Sequence, residues 1–422
     1  MSAESKEFLV ASLARRDWLM NGLLGPIVAP YNRHLRAQRY ADNSIRTYLK
    51  SLAHFAYWGR TEGFGLSDID EALIARFIRC HLPSCDCPAP CSCNLINVRP
   101  ALKHLVVVLR LNSYACKKPL IATPMSLELN QFRQYLRDTC GFAETTIYYR
   151  VKHLSEFLEH RFGSGPVNIG CITPSDIESC VIDYAKRWRP ASLGVIRGSL
   201  KSYLRFRALR GDQTRHLMAA LPVLADWSQA KLPKALSEPQ LARFVQAFDL
   251  NKPIGQRDYA IARCLIDLGL RGQEIAQLVL ESVDWQDGIL TVASSKVRRV
   301  LRLPLSWQTG EAIARYLRYG RPTTTSRALF VHHEAPVGAA LHVAGIRSSM
   351  RYAFERCGLD DQFCGTHVLR HTVAIRLQRS GASLKEIADV LGHRSLESTT
   401  RYARVDLAGL RAAASPWPGS RS

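Results

Sequence analysis

The chain has 422 residues, of which 47% are hydrophobic and 22% charged, a balance that excludes a wholly disordered protein. Its net charge of +21 favours nucleic acid as a partner over the alternative of a basic protein unrelated to it, because binding phosphates releases condensed counterions. No apolar run reaches the roughly 20 residues of a transmembrane helix, and the opening "MSAESKEFLVASLARRDWLM" lacks the apolar core of a signal peptide, so we predict a cytoplasmic, nucleoid-associated protein.

Two segments of the N-terminal half resemble each other. "YNRHLRAQRYADNSIRTYLKSLAHFAYW" begins at Tyr31 and "FRQYLRDTCGFAETTIYYRVKHLSEFLEH" at Phe132. Each predicts an amphipathic helix, a polar turn, and a second helix capped by Asn43 or Thr145, then a third helix and a basic fourth helix. We therefore predict two similar helical modules, at 1–118 and 124–222; the alternative is a chance likeness between amphipathic hairpins.

A cysteine-rich loop at 80–93, "CHLPSCDCPAPCSC", interrupts the first module. Beside His81 it carries five cysteines, Cys80, Cys85, Cys87, Cys91 and Cys93. These thiolates are enough for one tetrahedral structural zinc site. Because their spacing departs from that of the usual CxxC knuckles, a proline-rich surface loop with free thiols is the alternative.

The fourth helix of the second module is strongly basic. Its cations mostly recur every three or four residues: Arg197, Lys201, Arg205, Arg207 and Arg210. Several therefore share one helix face, where they can contact DNA phosphates or remain as solvated surface charge. A linker at 223–236 follows, marked by lysines and Pro233.

The C-terminal domain is predicted at 237–422. It opens with a capping box at Ser237 and Gln240 and reads as mostly helical. The stretch "GILTVASSKVRRVLRLPL" alternates apolar and polar residues around a basic turn, which predicts a small β-hairpin or meander, with "DGIL" as the turn before it.

Cations, imidazoles and one phenol are spaced along this domain. In chain order they are Arg271, Lys296, His367, Arg370, His393 and, nine positions after that histidine, Tyr402. Each alone is consistent with an ordinary structural role. Together they suit attack on a phosphodiester, because guanidinium groups neutralise phosphate oxygens, a phenol can act as nucleophile, and imidazole and ammonium groups move protons. No carboxylate cluster of metal-binding spacing accompanies them, which argues against a two-metal nuclease.

Three stretches of this domain resemble the tyrosine recombinases, also called the phage integrase family. They are "LGLRGQEIAQL", "SSKVRRVLRLPL" and "HVLRHTVAIRLQRSGASLKEIADVLGHRSLESTTRYARV". The resemblance implies that Arg271 and Arg370 clamp the scissile phosphate, that Glu274 supports the site, and that no cofactor is required. It further implies His367 as acid/base, His393 as a phosphate ligand and Lys296 as the donor to the leaving 5′-oxygen. Tyr402 would form a 3′-phosphotyrosyl ester. The neighbouring Arg298 and Arg299 are expected to contact DNA.

The resemblance also implies a mainly α fold with a small β-sheet in the catalytic domain, in which the helical DNA-binding modules and that domain form a clamp around double-stranded DNA. The partners implied are specific recombination sites, further copies of the chain in a synaptic tetramer, and other recombinases. The activity implied is integration, excision or transposition of a mobile element. A type IB topoisomerase and a non-catalytic DNA-binding partner of other recombinases are the alternatives. Two features depart from the family pattern: Gly272, expected to loosen its helix start, and the duplicated N-terminal module.

Overall fold

The computed structural model describes residues 15–112, 114, 123–188, 190–223, 233–294, 299–392, 399–400 and 402. These residues are mainly helical and include a small antiparallel sheet, which confirms the predicted mainly α class. Backbone contacts divide the chain into two compact units, one drawn from 1–118 and 234–396 and the other from 119–233 and 397–422. Among the described helices, none is both long and apolar enough to cross a membrane.

The first module packs its helices around an apolar centre that includes the fully buried Tyr31, Phe55 and Phe77. Its helices are α1 (Arg16–Met20), α2 (Gly25–Ala37), α3 (Asp42–Thr61), α4 (Glu71–Arg76) and α5 (Leu95–Leu111). A π-helical turn, Phe77–His81, extends α4 into the cysteine-rich loop. The hydroxyl of Tyr31 donates to the Ala101 carbonyl at 3.0 Å, which joins α2 to α5.

The second module has its own apolar centre, which includes Phe132, Leu154 and Tyr203. Its helices are α6 (Pro124–Asp138), α7 (Glu144–Phe162), α8 (Pro174–Arg187), α9 (Pro190–Leu209) and α10 (Arg215–Ala219). A capping box between Thr173 and Asp176 starts α8. The helix order of the first module thus recurs here.

The helix starts correct one detail of the predicted repeat. Helices α3 and α7 begin one residue before Asn43 and Thr145, after Ala41 and Ala143. Both alanines have the same backbone conformation, with φ −65° and ψ 146°, and neither helix start receives a side-chain cap. The prediction that Asn43 and Thr145 cap these helices is therefore wrong.

An acidic residue in the first helical position stabilises each of these starts instead. Asp42 pairs with Arg36 at 3.0 Å, and Glu144 pairs with Arg137 at 2.8 Å. A carboxylate at this position interacts favourably with the positive end of the helix dipole. The arginine comes from the end of the preceding helix in both modules, so the same ion pair fixes the same turn twice.

The C-terminal region has a third apolar centre, in which Ile261, Leu265 and Phe354 are buried. Its helices are α11 (Glu238–Gln246), α12 (Pro253–Asp267), α13 (Gly272–Ala276), α14 (Trp307–Arg315), α15 (Val343–Arg356), α16 (His367–Arg379) and α17 (Leu384–Val390). The predicted capping box is confirmed, since Gln240 and Ser237 bond each other reciprocally at the start of α11.

A three-stranded antiparallel sheet follows α13. Its strands are β1 (Val283–Asp284), β2 (Ile289–Ser294) and β3 (Arg299–Pro304). Ile289 pairs with Pro304 and Ser294 with Arg299, so the hairpin predicted from the alternating pattern is confirmed. The short strand β1 precedes this hairpin and makes the sheet a three-stranded meander, the second form that the sequence left open.

Candidate active site

Arg271 lies between α12 and α13 and is held by Glu274. The Arg271 backbone N–H donates to Glu274 Oε2 at 2.8 Å, and its guanidinium Nη1 donates to Glu274 Oε1 at 2.7 Å. Glu274 is buried, whereas the Arg271 side chain remains 24% exposed. The Glu274 carboxylate therefore holds both the backbone and the guanidinium of Arg271, and it leaves other donors of that guanidinium for a ligand.

Arg370 is buried on α16 and approaches the same place. Its Nη1 donates to the Gly269 carbonyl at 2.6 Å and its Nη2 donates to the Leu391 carbonyl. Arg271 Nη2 donates to the next carbonyl, that of Gly392, at 3.3 Å. The two guanidinium groups therefore converge on the turn that directly precedes His393.

Gly269 permits this convergence. Its φ of +63° lies in the left-handed region, and a Cβ built there would lie 2.5 Å from Leu391 Cδ2. Any side chain would therefore be strained in its backbone and would also push on the Leu391 side chain, which belongs to the turn that both arginines contact. Sequence reasoning missed this residue, although its place two residues before Arg271 was the available signal.

Gly272 packs more tightly than expected. It is buried, and a Cβ there would lie 3.3 Å from Val343 Cγ2 and 3.5 Å from Thr366 Oγ1. The glycine thus lets α13 lie close to the start of α15 and to the residue before α16. The structure gives it a packing role in place of the expected loosening.

The remaining catalytic candidates are described in part. His367 is the first residue of α16 and is exposed. Tyr402 has helical backbone and is 1% exposed. Lys296 and His393 lie outside the described residues, as does Arg298. Arg299 begins β3, but its side chain also lies outside the description.

The basic residues predicted to face DNA on α9 divide into two groups. Arg205 is exposed and Lys201 is partly exposed, so both can be reached by a ligand. Arg197 is part of the internal structure, because its Nε donates to the Pro222 carbonyl at 2.8 Å.

Arg207 and Arg210 bind carboxylates of their own module. Arg207 is 13% exposed and donates to Glu128 at 2.9 Å and to Asp212 at 2.7 Å. Arg210 contacts Glu128 at 3.3 Å and Gln131 at 2.7 Å. Amphipathic spacing alone cannot separate the largely buried Arg207 from accessible cations, among which Arg210 is 44% exposed.

The cysteine-rich loop meets α3 in a compact cluster of possible metal ligands. The buried His54 of α3 belongs to it, a residue that sequence reasoning missed because it lies outside the loop. One group comprises His54, His81, Cys85 and Cys87, and an overlapping group comprises His54, Cys85, Cys91 and Cys93. Within each group, the ligand atoms lie within 4.8 Å of one another. Cys80 is exposed and belongs to neither group.

Burial governs the charge of His54. It lowers the pKa of that imidazole below its usual range, which outweighs the opposite effect of the hydrogen bond to the Ser92 backbone. The ring is therefore neutral near pH 7, the form in which an imidazole nitrogen can bind a metal ion.

Comparison with known proteins identifies relatives over nearly the whole chain. The Phage integrase family model matches residues 234–408. An integrase/recombinase of Sinorhizobium fredii, y4rA, is 34% identical over 403 residues, which cover 94% of this chain and 95% of the relative. The tyrosine recombinase XerC of Anoxybacillus flavithermus is 28% identical and covers 68% of this chain, with 96% of its own length matched.

A solved structure supports the fold. A lambda integrase dimer bound to a COC′ core site superposes with a TM-score of 0.52 at 19% identity, and the match covers 76% of this chain and 90% of that one. At this level of identity the likeness concerns the fold alone.

Proposed function

The chain belongs to the phage integrase family of tyrosine recombinases, and we propose that it is a site-specific recombinase that integrates, excises or transposes a mobile element. The observation that carries the proposal is the convergence of Arg271 and Arg370 on the turn at 391–392. Two fixed guanidinium groups at one place form an anion site suited to a phosphodiester. The integrase/recombinase name of the Sinorhizobium relative supports the mobile-element context.

In the proposed reaction the Tyr402 phenol oxygen attacks the scissile phosphorus. The bond from phosphorus to the 5′-oxygen breaks as the phosphotyrosyl bond forms, so no energy source is consumed. The phenol proton passes to a basic group, for which His367 is the candidate, and Lys296 protonates the leaving 5′-oxygen. A 5′-hydroxyl of a second duplex then reverses these steps to rejoin the strands.

Arg271 and Arg370 stabilise the charge that develops on the phosphate oxygens, and His393 donates a further hydrogen bond. Because Glu274 and main-chain carbonyls already orient the two arginines, little reorganisation is needed when the phosphate arrives. This chemistry requires no cofactor. Since Tyr402 is buried, we expect its phenol to become accessible before it can attack.

The domain organisation is proposed from the sequence boundaries. Modules 1–118 and 124–222 bind double-stranded DNA, the linker spans 223–236, and the region 237–422 cleaves the strand. Arg205 and Lys201 are the candidates on α9 for phosphate contact, since both are accessible. We propose that four copies act together at specific sites on nucleoid DNA, with or without partner recombinases.

Covalent capture on DNA tests this function. DNA bound by the Tyr402→Phe protein is first sequenced to identify the site. A nicked duplex of that site should then trap the wild-type chain through Tyr402, whereas Tyr402→Phe should bind without being trapped. Failure to trap on the identified site would favour the non-catalytic DNA-binding alternative. Relaxation of supercoiled DNA without site preference would favour a type IB topoisomerase.

We also propose that the cysteine-rich loop holds a structural zinc ion. The cluster combines imidazole nitrogen and thiolate sulfur, the ligand set that zinc prefers in closed tetrahedral sites. The ion would serve the fold of the first module and take no part in strand transfer.

A further inference from the structure

We infer that the first module closes around a single zinc ion bound by His54, His81, Cys85 and Cys87. This inference rests on the zinc site just proposed and specifies its ligands. The ligands come from three places: α3 supplies His54, the π-helical turn after α4 supplies His81, and the loop supplies the two cysteines. The ion would thus join two helical elements to the inserted loop.

Three of the six distances between the ligand atoms of these side chains match edges of a zinc tetrahedron, and all six are within 4.8 Å. His54 Nε2 lies 3.3 Å from Cys85 Sγ and 3.2 Å from His81 Nε2, and His81 Nε2 lies 3.5 Å from Cys87 Sγ. Usual zinc bond lengths place nitrogen and sulfur ligands about 3.6 Å apart and two nitrogen ligands about 3.3 Å apart. The measured separations agree with both values to within a few tenths of an ångström.

The hydrogen bonding of His54 presents the correct nitrogen. Its Nδ1 lies 2.9 Å from the Ser92 carbonyl oxygen, which can only accept, so Nδ1 carries the proton. Nε2 then carries a lone pair and lies within 4.8 Å of the other three ligand atoms. This arrangement, in which the second ring nitrogen donates to a carbonyl, is the usual support of a metal-bound histidine.

A single nitrogen lone pair cannot serve two metal ions, so the two overlapping groups cannot both be filled. In the competing group, Cys85 and Cys91 lie 4.0 Å apart and Cys91 and Cys93 lie 3.6 Å apart, against about 3.8 Å for two sulfur ligands of one zinc ion. Cys93 is also exposed, whereas every member of the first group is buried or partly buried. The distances fit both groups equally well, so burial favours the first group, with Cys91 and Cys93 as unligated thiols beside it.

Metal content of the purified full-length chain tests the ligand set. Wild-type protein should contain about one zinc per chain, and the Cys87→Ser and His81→Asn variants should lose most of it. The matched control is the double variant Cys91→Ser with Cys93→Ser, which changes two thiols of the same loop and should retain the metal. Loss of zinc from this control with retention in Cys87→Ser would overturn the ligand set.

Cobalt substitution in the wild-type chain keeps the test independent of whether a variant folds. Cobalt in a tetrahedral site of two thiolates and two imidazoles should give visible bands, with a thiolate-to-metal absorption close to that of two sulfurs. An intensity typical of three sulfurs, metal-free wild-type protein, or about two zinc ions per chain would each overturn the inference.

The outcome for zinc is separable from the outcome for recombination. Covalent trapping through Tyr402 by a zinc-free wild-type chain would overturn the zinc inference and leave the recombinase proposal intact. A chain that binds zinc through these four ligands but is never trapped on its bound DNA site would overturn the recombinase proposal and leave the zinc inference intact.

Discussion

The two helical modules repeat one helix order but stabilise it with different polar chemistry. In the second module the buried Glu128 accepts hydrogen bonds from Tyr203 at 2.8 Å and from Arg207 at 2.9 Å, so a carboxylate and a guanidinium join α6 to α9. In the first module the equivalent junction is neutral, since Tyr31 donates to the Ala101 carbonyl. The same backbone plan therefore accepts either an ionic or a neutral interior.

The third helix differs as well. In the second module α8 has 14 residues and starts with a capping box, whereas α4 in the first module has only 6 residues before its π-helical turn. A short helix buries little apolar surface, and the turn and loop that follow it carry His81 and the cysteines of the cluster. With the proposed zinc ion bound, these side chains would compensate for the shorter helix.

The largest expected loss of stability follows from a substitution in the ionic interior of the second module. Glu128→Leu should destabilise the second module by about 3 kcal/mol, because it leaves Arg207 buried with only one of its two carboxylate partners. Hydrogen exchange followed by mass spectrometry, which resolves each module within the full chain, should show faster exchange across α6 and α9.

A surface ion pair of the same module provides the control for Glu128. Asp183 pairs with Lys186 at 3.0 Å, and both side chains are mostly exposed. Asp183→Asn should change stability by less than about 0.5 kcal/mol. Equal effects of the two substitutions would show that the buried carboxylate is not a distinguishing feature of the second module.

A smaller loss of stability is expected when acid protonates a histidine in the neutral interior of the first module. His104 Nδ1 lies 3.1 Å from His34 Nε2, its Nε2 accepts from the Tyr40 hydroxyl at 3.0 Å, and Tyr48 stacks on its ring. Burial, followed by the charges of His34 and Lys103, lowers the pKa of His104 from 6.5 to about 4.

Between those two pKa values the unfolded chain binds more protons than the folded chain. The contribution of His104 to the free energy of unfolding is therefore full above pH 6.5 and is lost as the pH falls toward 4. Allowing for solvent screening, this loss should amount to about 1 kcal/mol. Hydrogen exchange of α2 and α5 between pH 7 and 5 measures it, and His104→Gln should flatten the profile. An unchanged slope in that variant would assign the pH dependence to other groups.

The smallest expected effect concerns the ion pair that the modules share. Asp42→Asn should weaken the start of α3 by about 0.5 kcal/mol, because it removes a charge from the positive end of the helix and from Arg36. Glu144→Gln should act in the same direction on α7. Amide exchange in the first turn of each helix is the measurement, and opposite signs at the two sites would break the equivalence of the modules.

Local sequence signals predicted much of the fold. The capping box at Ser237 and the hairpin β2–β3 depend on neighbours in the chain, and both are confirmed. The N-caps predicted at Asn43 and Thr145 are wrong, since each helix begins one residue earlier at an acidic residue that pairs with an arginine of the preceding helix. A contact with another helix is not visible in a capping pattern.

The candidate site was predictable only as a set of functional groups. Motif spacing selected Arg271 and Arg370, but it gave no sign that both donate to carbonyls of the turn at 391–392. His54 was missed for a similar reason, since its link to the cysteine-rich loop exists only once α3 and the loop are folded together. Arg207 was assigned to DNA because helical periodicity cannot show that Glu128 lies across from it.

Gly269 has a consequence for the tolerance of this protein to mutation. The residue carries no functional group, yet its φ is +63° and a Cβ there would lie 2.5 Å from Leu391 Cδ2. A survey of single substitutions scored by recombination would therefore group Gly269 with the proposed catalytic residues. In such a survey the absence of a side chain would look the same as a chemical role, and only the distance to Leu391 tells the two apart.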